Sequence, residues 1–145
     1  MTLVRTLVLA LAAASVLAPA ARAQEAFGDL TLNFPDLKAK QGQILIAIFD
    51  GPQGWASGKP VRVAKASAAA DPATVKIVAL PPGSYAVRAF QDVDGDGKMA
   101  TNPFGMPTEP YGFSRDAQPN MGPPSFDAAA FEVKAGANVQ SLRLN

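Results

Sequence analysis

Residues 43–50 read Gln-Ile-Leu-Ile-Ala-Ile-Phe-Asp, and this run limits the possible architecture more than any other segment. Successive side chains of a strand point to opposite faces. Ile44, Ile46 and Ile48 therefore share one side, and Leu45, Ala47 and Phe49 the other. A strand that is apolar on both faces needs cover on both, which places it centrally in a sheet. The two-residue period recurs along the chain. Leu30, Leu32 and Phe34 alternate with Thr31 and Asn33, Val61 and Val63 flank Arg62, and Val75 and Ile77 stand astride Lys76 within 74–80. Further strands are expected over 84–92, 129–134 and 138–144, with turns at Pro81-Pro82-Gly83 and Ala135-Gly136. Beyond the N-terminal segment no stretch shows a helical period. Seven short strands predict an all-β fold, a seven-stranded antiparallel β-sandwich of the immunoglobulin-like kind.

The N-terminal segment reads as an export signal. Arg5 gives a positive start, residues 6–17 are apolar or small, Pro19 breaks the run, and Ala21-Arg22-Ala23 fits the small-x-small cleavage pattern. The apolar run is shorter than the ~20 residues of a spanning helix, so cleavage after Ala23 is expected rather than stable membrane insertion. The expected organisation is a signal peptide over 1–23 and one domain over 24–145, with a periplasmic or secreted destination. No cysteine follows the apolar run to carry a lipid anchor.

Removing 23 of the 145 residues leaves 122, enough for one domain with its own core. Arg5 and Arg22 leave with the signal, so 11 cations then face 12 acids and the net charge passes from +1 to −1. The remaining cations are scattered, and nucleic-acid binding loses its electrostatic basis. Cysteine and histidine are both absent. That excludes disulfides, Ser-His-Asp and Cys-His catalysis and histidine-rich metal sites, and leaves oxygen-ligand metals as the natural candidates.

Asp92-Val93-Asp94-Gly95-Asp96-Gly97-Lys98 follows directly on the strand expected over 84–92. Alternate aspartates with glycines between them let a short loop curl around a hard cation. Asp92, Asp94 and Asp96 would bind calcium by side chain, and Lys98 would add its carbonyl. The spacing matches the first half of an EF-hand loop. Pro103 stands where the bidentate glutamate would be and no helical pattern flanks the loop, so an EF-hand is rejected. Thr101, Asn102 or Glu109 could close the site. The competing reading is a solvated, turn-forming loop, since Asp and Gly favour turns.

Residues 93–125 carry no strand pattern and hold six of the 13 prolines. Phe104, Met106, Tyr111, Phe113 and Met121 punctuate them, which argues for an ordered excursion packed across one end of the sandwich. Trp55, in a loop after a strand, could join Tyr111 and Phe113 in an aromatic platform for a glycan or peptide, or could plug its own domain. Glu109 paired with a loop aspartate is the nominee for a carboxylate-dependent glycoside hydrolase, a weaker reading than binding. Ser114 has no nucleophile elbow around it and is expected to be a hydrogen-bonding loop residue.

Several stretches carry a family resemblance: Gly42-Gln43-Ile44 through Ile48-Phe49-Asp50, Leu80-Pro81-Pro82-Gly83-Ser84-Tyr85-Ala86-Val87, and Phe90-Gln91-Asp92 with the acidic loop. Tyr111-Gly112-Phe113-Ser114, Gly122-Pro123-Pro124-Ser125-Phe126 and Ala129-Ala130-Phe131 extend it, so that it covers nearly all of 28–145. Together they resemble the uncharacterised bacterial family known as domain of unknown function 2141. The resemblance implies an exported single-domain β-sandwich, similar in outline to prealbumin-like modules, and implies no activity. Ala100 departs from the acid or amide that members commonly carry there, which removes one potential metal ligand. The expectation is an exported, non-enzymatic module, stabilised by calcium at the acidic loop and acting in binding or envelope structure on a protein, peptide or glycan partner.

Overall fold

The computed structural model describes residues 26–145, so the expected signal segment and its cleavage site lie outside the described residues. The strands are β1 (Gly28–Phe34), β2 (Gln43–Phe49), β3 (Arg62–Ser67), β4 (Ala73–Leu80), β5 (Gly83–Asp92), β6 (Tyr111–Phe113), β7 (Phe131–Val133) and β8 (Gly136–Ser141). Two short helices, α1 (Pro52–Ser57) and α2 (Phe126–Ala129), and a 3-10 turn at Ser114–Asp116 complete the structure. One sheet runs β4-β1-β8. The other runs β3-β2-β5-β6, with β7 against the first residues of β5, so β7 and β6 succeed one another along that strand.

The inward residues of both sheets meet in one core. Leu30, Leu32 and Phe34 of β1 pack with Ile44, Ile46 and Ile48 of β2, with Tyr85, Val87 and Ala89 of β5, and with Leu142 and Leu144 beyond β8. The alternation read in 30–34 and 43–49 is therefore the division between core and outer face, and β2 is central as its two apolar faces require.

The strand arrangement differs from the expectation in three respects. The described residues form eight strands, because three-residue β6 is too short to show a period. The sandwich is not wholly antiparallel: β8 pairs in parallel with β1, since the turn after β7 carries the chain from one sheet to the other instead of folding it back as a hairpin. The Asn138 side chain closes that turn, accepting from the Lys134 N–H at 2.9 Å and donating to the Lys134 carbonyl at 2.7 Å. Finally, helices are present where none was expected. Pro52 starts α1 and Gly58, left-handed at φ 68°, ends it, while the Ser125 hydroxyl caps α2 by accepting from the Ala128 N–H.

Past β8 the chain crosses to the other sheet. Asn145 and Tyr111 exchange backbone hydrogen bonds of 3.0 and 3.2 Å, so the C-terminal tail lies alongside β6. Gly112 makes this possible, because a Cβ there would come within 2.1 Å of the Arg143 carbonyl oxygen. Among the described residues no helix is long and apolar enough to cross a membrane.

Candidate functional site

The outward face of the β3-β2-β5-β6 sheet follows from its register. Val63 stands opposite Ala47, Ala47 opposite Arg88, and Arg88 opposite Phe113. The next row is Lys65, Leu45, Phe90 and Tyr111. These two rows floor a cleft of about 1250 Å³, with Met99, Met106, Met121 and Pro123 of the 93–125 segment along its other side. That segment thus lies across the outer face of a sheet and supplies one of its strands, rather than covering one end of the sandwich.

At the α1 end the same face is packed solid. Phe49, Trp55, Ala86, Phe113, Phe126 and Ala129 form a second buried cluster. Trp55 lies in α1, not in a loop, and is only 4% exposed. Its ring meets Phe49, Phe113 and Phe126 at centroid distances of 5.2, 5.9 and 6.3 Å, and its indole N–H donates to the Pro124 carbonyl at 2.8 Å. Tyr111 and Phe113 also pack edge to face, so the three nominated aromatics do come together. Tyr111 and Phe113 border the cleft, whereas Trp55 does not line it and is buried in the packed α1 end of the same face.

Arg88 is the one polar side chain in the middle of this aromatic packing. Its guanidinium carbon sits 3.9 Å from the Trp55 ring centroid and 5.0 Å from that of Phe49, and Nη2 donates to the Trp55 carbonyl. Nε is buried without a partner among the described residues. Burial pushes the guanidinium below its ordinary pKa, and none of the ion pairs among the described residues includes it.

The acidic loop leaves the end of β5. Asp92 is buried, Asp94 and Asp96 are exposed, and one carboxylate oxygen from each lies within 4.8 Å of the others. Asp92 folds the loop around itself by accepting from the N–H groups of Gly95 at 2.8 Å and Gly97 at 3.0 Å. Asp94 accepts from the Asp96 N–H and Asp96 from the Lys98 N–H. Each carboxylate oxygen keeps a further lone pair, so these bonds are compatible with a cation on the same atoms. Glu109, 8% exposed, spans the loop from outside: Oε1 accepts from the Val93 N–H at 2.8 Å and Oε2 from the Ala100 N–H at 3.0 Å. Both of its oxygens are engaged in holding the loop's two ends together. Gly42 lets β2 start beside this loop, since a Cβ at its φ of +76° would fall 2.1 Å from the Asp92 carbonyl oxygen.

Ser114 is buried, accepting from the Val87 N–H at 2.9 Å and donating to the Ala129 carbonyl, the structural role its sequence context suggested. Sequence reasoning missed Arg88 and the methionine side of the cleft. The available signal was the outward apolar set Leu45, Ala47 and Phe49, which implied a cover, and Arg88 among the outward positions of β5.

No curated protein and no solved structure matches the chain. One family does, over residues 32–141, and it is described as an uncharacterized protein conserved in bacteria (DUF2141). That span takes in β1 from Leu32 onward, every later strand, the acidic loop and all the cleft-lining side chains, and so the chain belongs to the DUF2141 family.

Proposed function

We propose that this protein is an exported, non-catalytic binding module that takes a largely apolar ligand in the cleft over its β3-β2-β5-β6 sheet. The observation that carries the reading is the cleft itself, about 1250 Å³ and lined mostly by aliphatic, aromatic and methionine side chains. A soluble domain rarely leaves so large an apolar surface concave and unfilled without a use for it. Methionines on one side suit ligands of variable shape, because an unbranched thioether repacks at little cost. Non-catalytic action is supported by the placement of Glu109, which is buried against the backbone amides of Val93 and Ala100 and does not line the cleft.

Titration with the neutral fluorophore Nile red tests the proposal. Saturable 1:1 binding is expected, and Leu45→Trp, which fills the floor of the cleft, should abolish it while the chain still unfolds cooperatively. Binding that persists unchanged in that variant would reject the cleft as the site.

A second part of the reading concerns the acidic loop, favoured by the three carboxylate oxygens that lie within 4.8 Å of one another. Calcium on Asp92, Asp94, Asp96 and the Lys98 carbonyl would neutralise the loop and stiffen the start of the segment that roofs the cleft. A site with so few protein ligands falls in the weak extracellular range, Kd ~10⁻⁴ to 10⁻³ M. The melting temperature should therefore climb with calcium across that range and fall back with excess chelator. Superimposable melts in calcium and chelator would remove calcium from the proposal.

A further inference from the structure

We infer that the cleft selects amphiphilic anions, and that its ligand is a free long-chain carboxylate whose head group is drawn to Arg88 and Lys65 while its chain lies along the apolar floor. This rests on the cleft being a binding site and adds the charge and class of what it holds.

The argument is one of charge complementarity. Two cations line the cleft, Arg88 in one floor row and Lys65 in the next, and among the described residues no carboxylate lines it. In a chain with nearly balanced acids and bases, an apolar concavity with cations alone is a biased environment. None of the five aspartates and glutamates of residues 92–116 lines it, and Asp116 pairs instead with Arg143 at 2.9 Å. Asp92, Asp94 and Asp96 close the acidic loop on itself, and Glu109 is buried against that loop's amides.

Arg88 is the stronger of the two cations. Its guanidinium is fixed by the Phe49 and Trp55 rings and by the Trp55 carbonyl, so little freedom remains to be lost when an anion arrives. It has given up water without gaining a carboxylate: Nε has no partner among the described residues, and its lowered pKa has desolvation as its cause. A half-buried cation of that kind gains more from an anion than a solvated one does, because the surrounding medium screens the pair less. A carboxylate matches the guanidinium fork. The remainder of the surface, with Leu45, Phe90, Met99 and Met106, offers apolar contact and few polar groups, which an unbranched hydrocarbon chain fits better than a sugar or a polar peptide.

Calorimetric titration of the mature chain with three twelve-carbon probes, each below its micelle concentration, tests this. The probes are laurate, neutral dodecanol and cationic dodecyltrimethylammonium. Laurate should bind 1:1 and at least about tenfold tighter than dodecanol, the equivalent of one charge-assisted hydrogen bond, with the cationic probe weakest. Lys65→Gln, on an exposed edge-strand side chain, should narrow the laurate preference, and Arg88→Gln should narrow it further. Should Arg88→Gln fail to fold, the probe series on the native chain and the Lys65 variant still decide. Equal binding of laurate and dodecanol would overturn the charge inference and leave the cleft as an apolar site. Tightest binding of the cationic probe would also overturn it. Binding of no probe, together with no Nile red signal, would remove the cleft reading as well.

Discussion

The β3-β2-β5-β6 sheet is covered on both faces, and the two covers are built differently. Its inner face packs against a second sheet, through an aliphatic set in which Ile44, Ile46, Ile48 and Val87 interlock with Leu30, Leu32 and Phe34. Its outer face packs at one end against α1, α2 and the irregular segment between β5 and β7, through the aromatic set Phe49, Trp55, Phe113 and Phe126. Beyond that end it remains open as the cleft. Two sheets satisfy their own backbone groups and can meet as apolar slabs. An irregular cover has no such ladder, so its amides and carbonyls must be met one by one by side chains. Ser114 at the Ala129 carbonyl, Glu109 at the Val93 and Ala100 amides and the Trp55 indole at the Pro124 carbonyl all serve that need. An outer face covered in this way can be left partly uncovered, whereas the inner face cannot.

The contrast breaks first at Trp55. If the outer cluster were an appendage, losing its central ring would loosen the 93–125 segment and leave the sandwich as stable as before. Phe49 and Ala86, however, belong to β2 and β5, the strands that the inner core also uses. Trp55→Ala should therefore lower the stability of the whole chain by about 3–5 kcal/mol, in a single denaturant transition. A mild deletion in the inner face, Ile46→Val, should cost only about 0.5–1.5 kcal/mol. A normal midpoint for Trp55→Ala, with fast amide exchange confined to the roof, would show that the two covers are energetically separate.

The same contrast explains what could be read from the chain. The inner face was legible because a strand decides its faces locally: Ile44, Ile46 and Ile48 point together whatever lies opposite. The Asp92, Asp94 and Asp96 grouping was legible for the same reason, since a loop of alternate aspartates and glycines brings its own carboxylates together. The outer cover was not, because its partners are remote. The Trp55 indole reaches Pro124, 69 positions away, and β6 takes shape between β5 and a tail that ends at Asn145. Glu109 could be nominated as a ligand or an acid from its residue type alone. That it holds Val93 and Ala100 depends on where the chain returns after the Thr101–Pro107 bridge. Membership of the DUF2141 family, matched over residues 32–141, adds no chemistry to this picture.

A smaller effect sharpens the comparison from the inner side, at a polar group packed among aliphatic side chains. Tyr85 lies in the aliphatic core with its hydroxyl donating to the Pro81 carbonyl at 2.8 Å, which ties the start of β5 to the Leu80-Pro81-Pro82-Gly83 turn. Tyr85→Phe removes that bond and should cost about 1 kcal/mol at neutral pH. Burial, and then the nearby Asp50 charge, raise the Tyr85 phenol above its ordinary value of 10.0. The native state therefore holds the proton where the unfolded chain releases it. The stability linked to this group is complete below about pH 10 and declines as pH rises through the native value. The phenylalanine variant lacks this decline, so its deficit relative to the native chain should shrink as pH is raised past about 10. Taking the difference between the two chains cancels the contributions of all groups that they share. A deficit that stays constant to pH ~11 would mean that the hydroxyl meets water in the native state as freely as in the unfolded chain. The inner face would then share the polar leakiness that otherwise belongs to the outer cover.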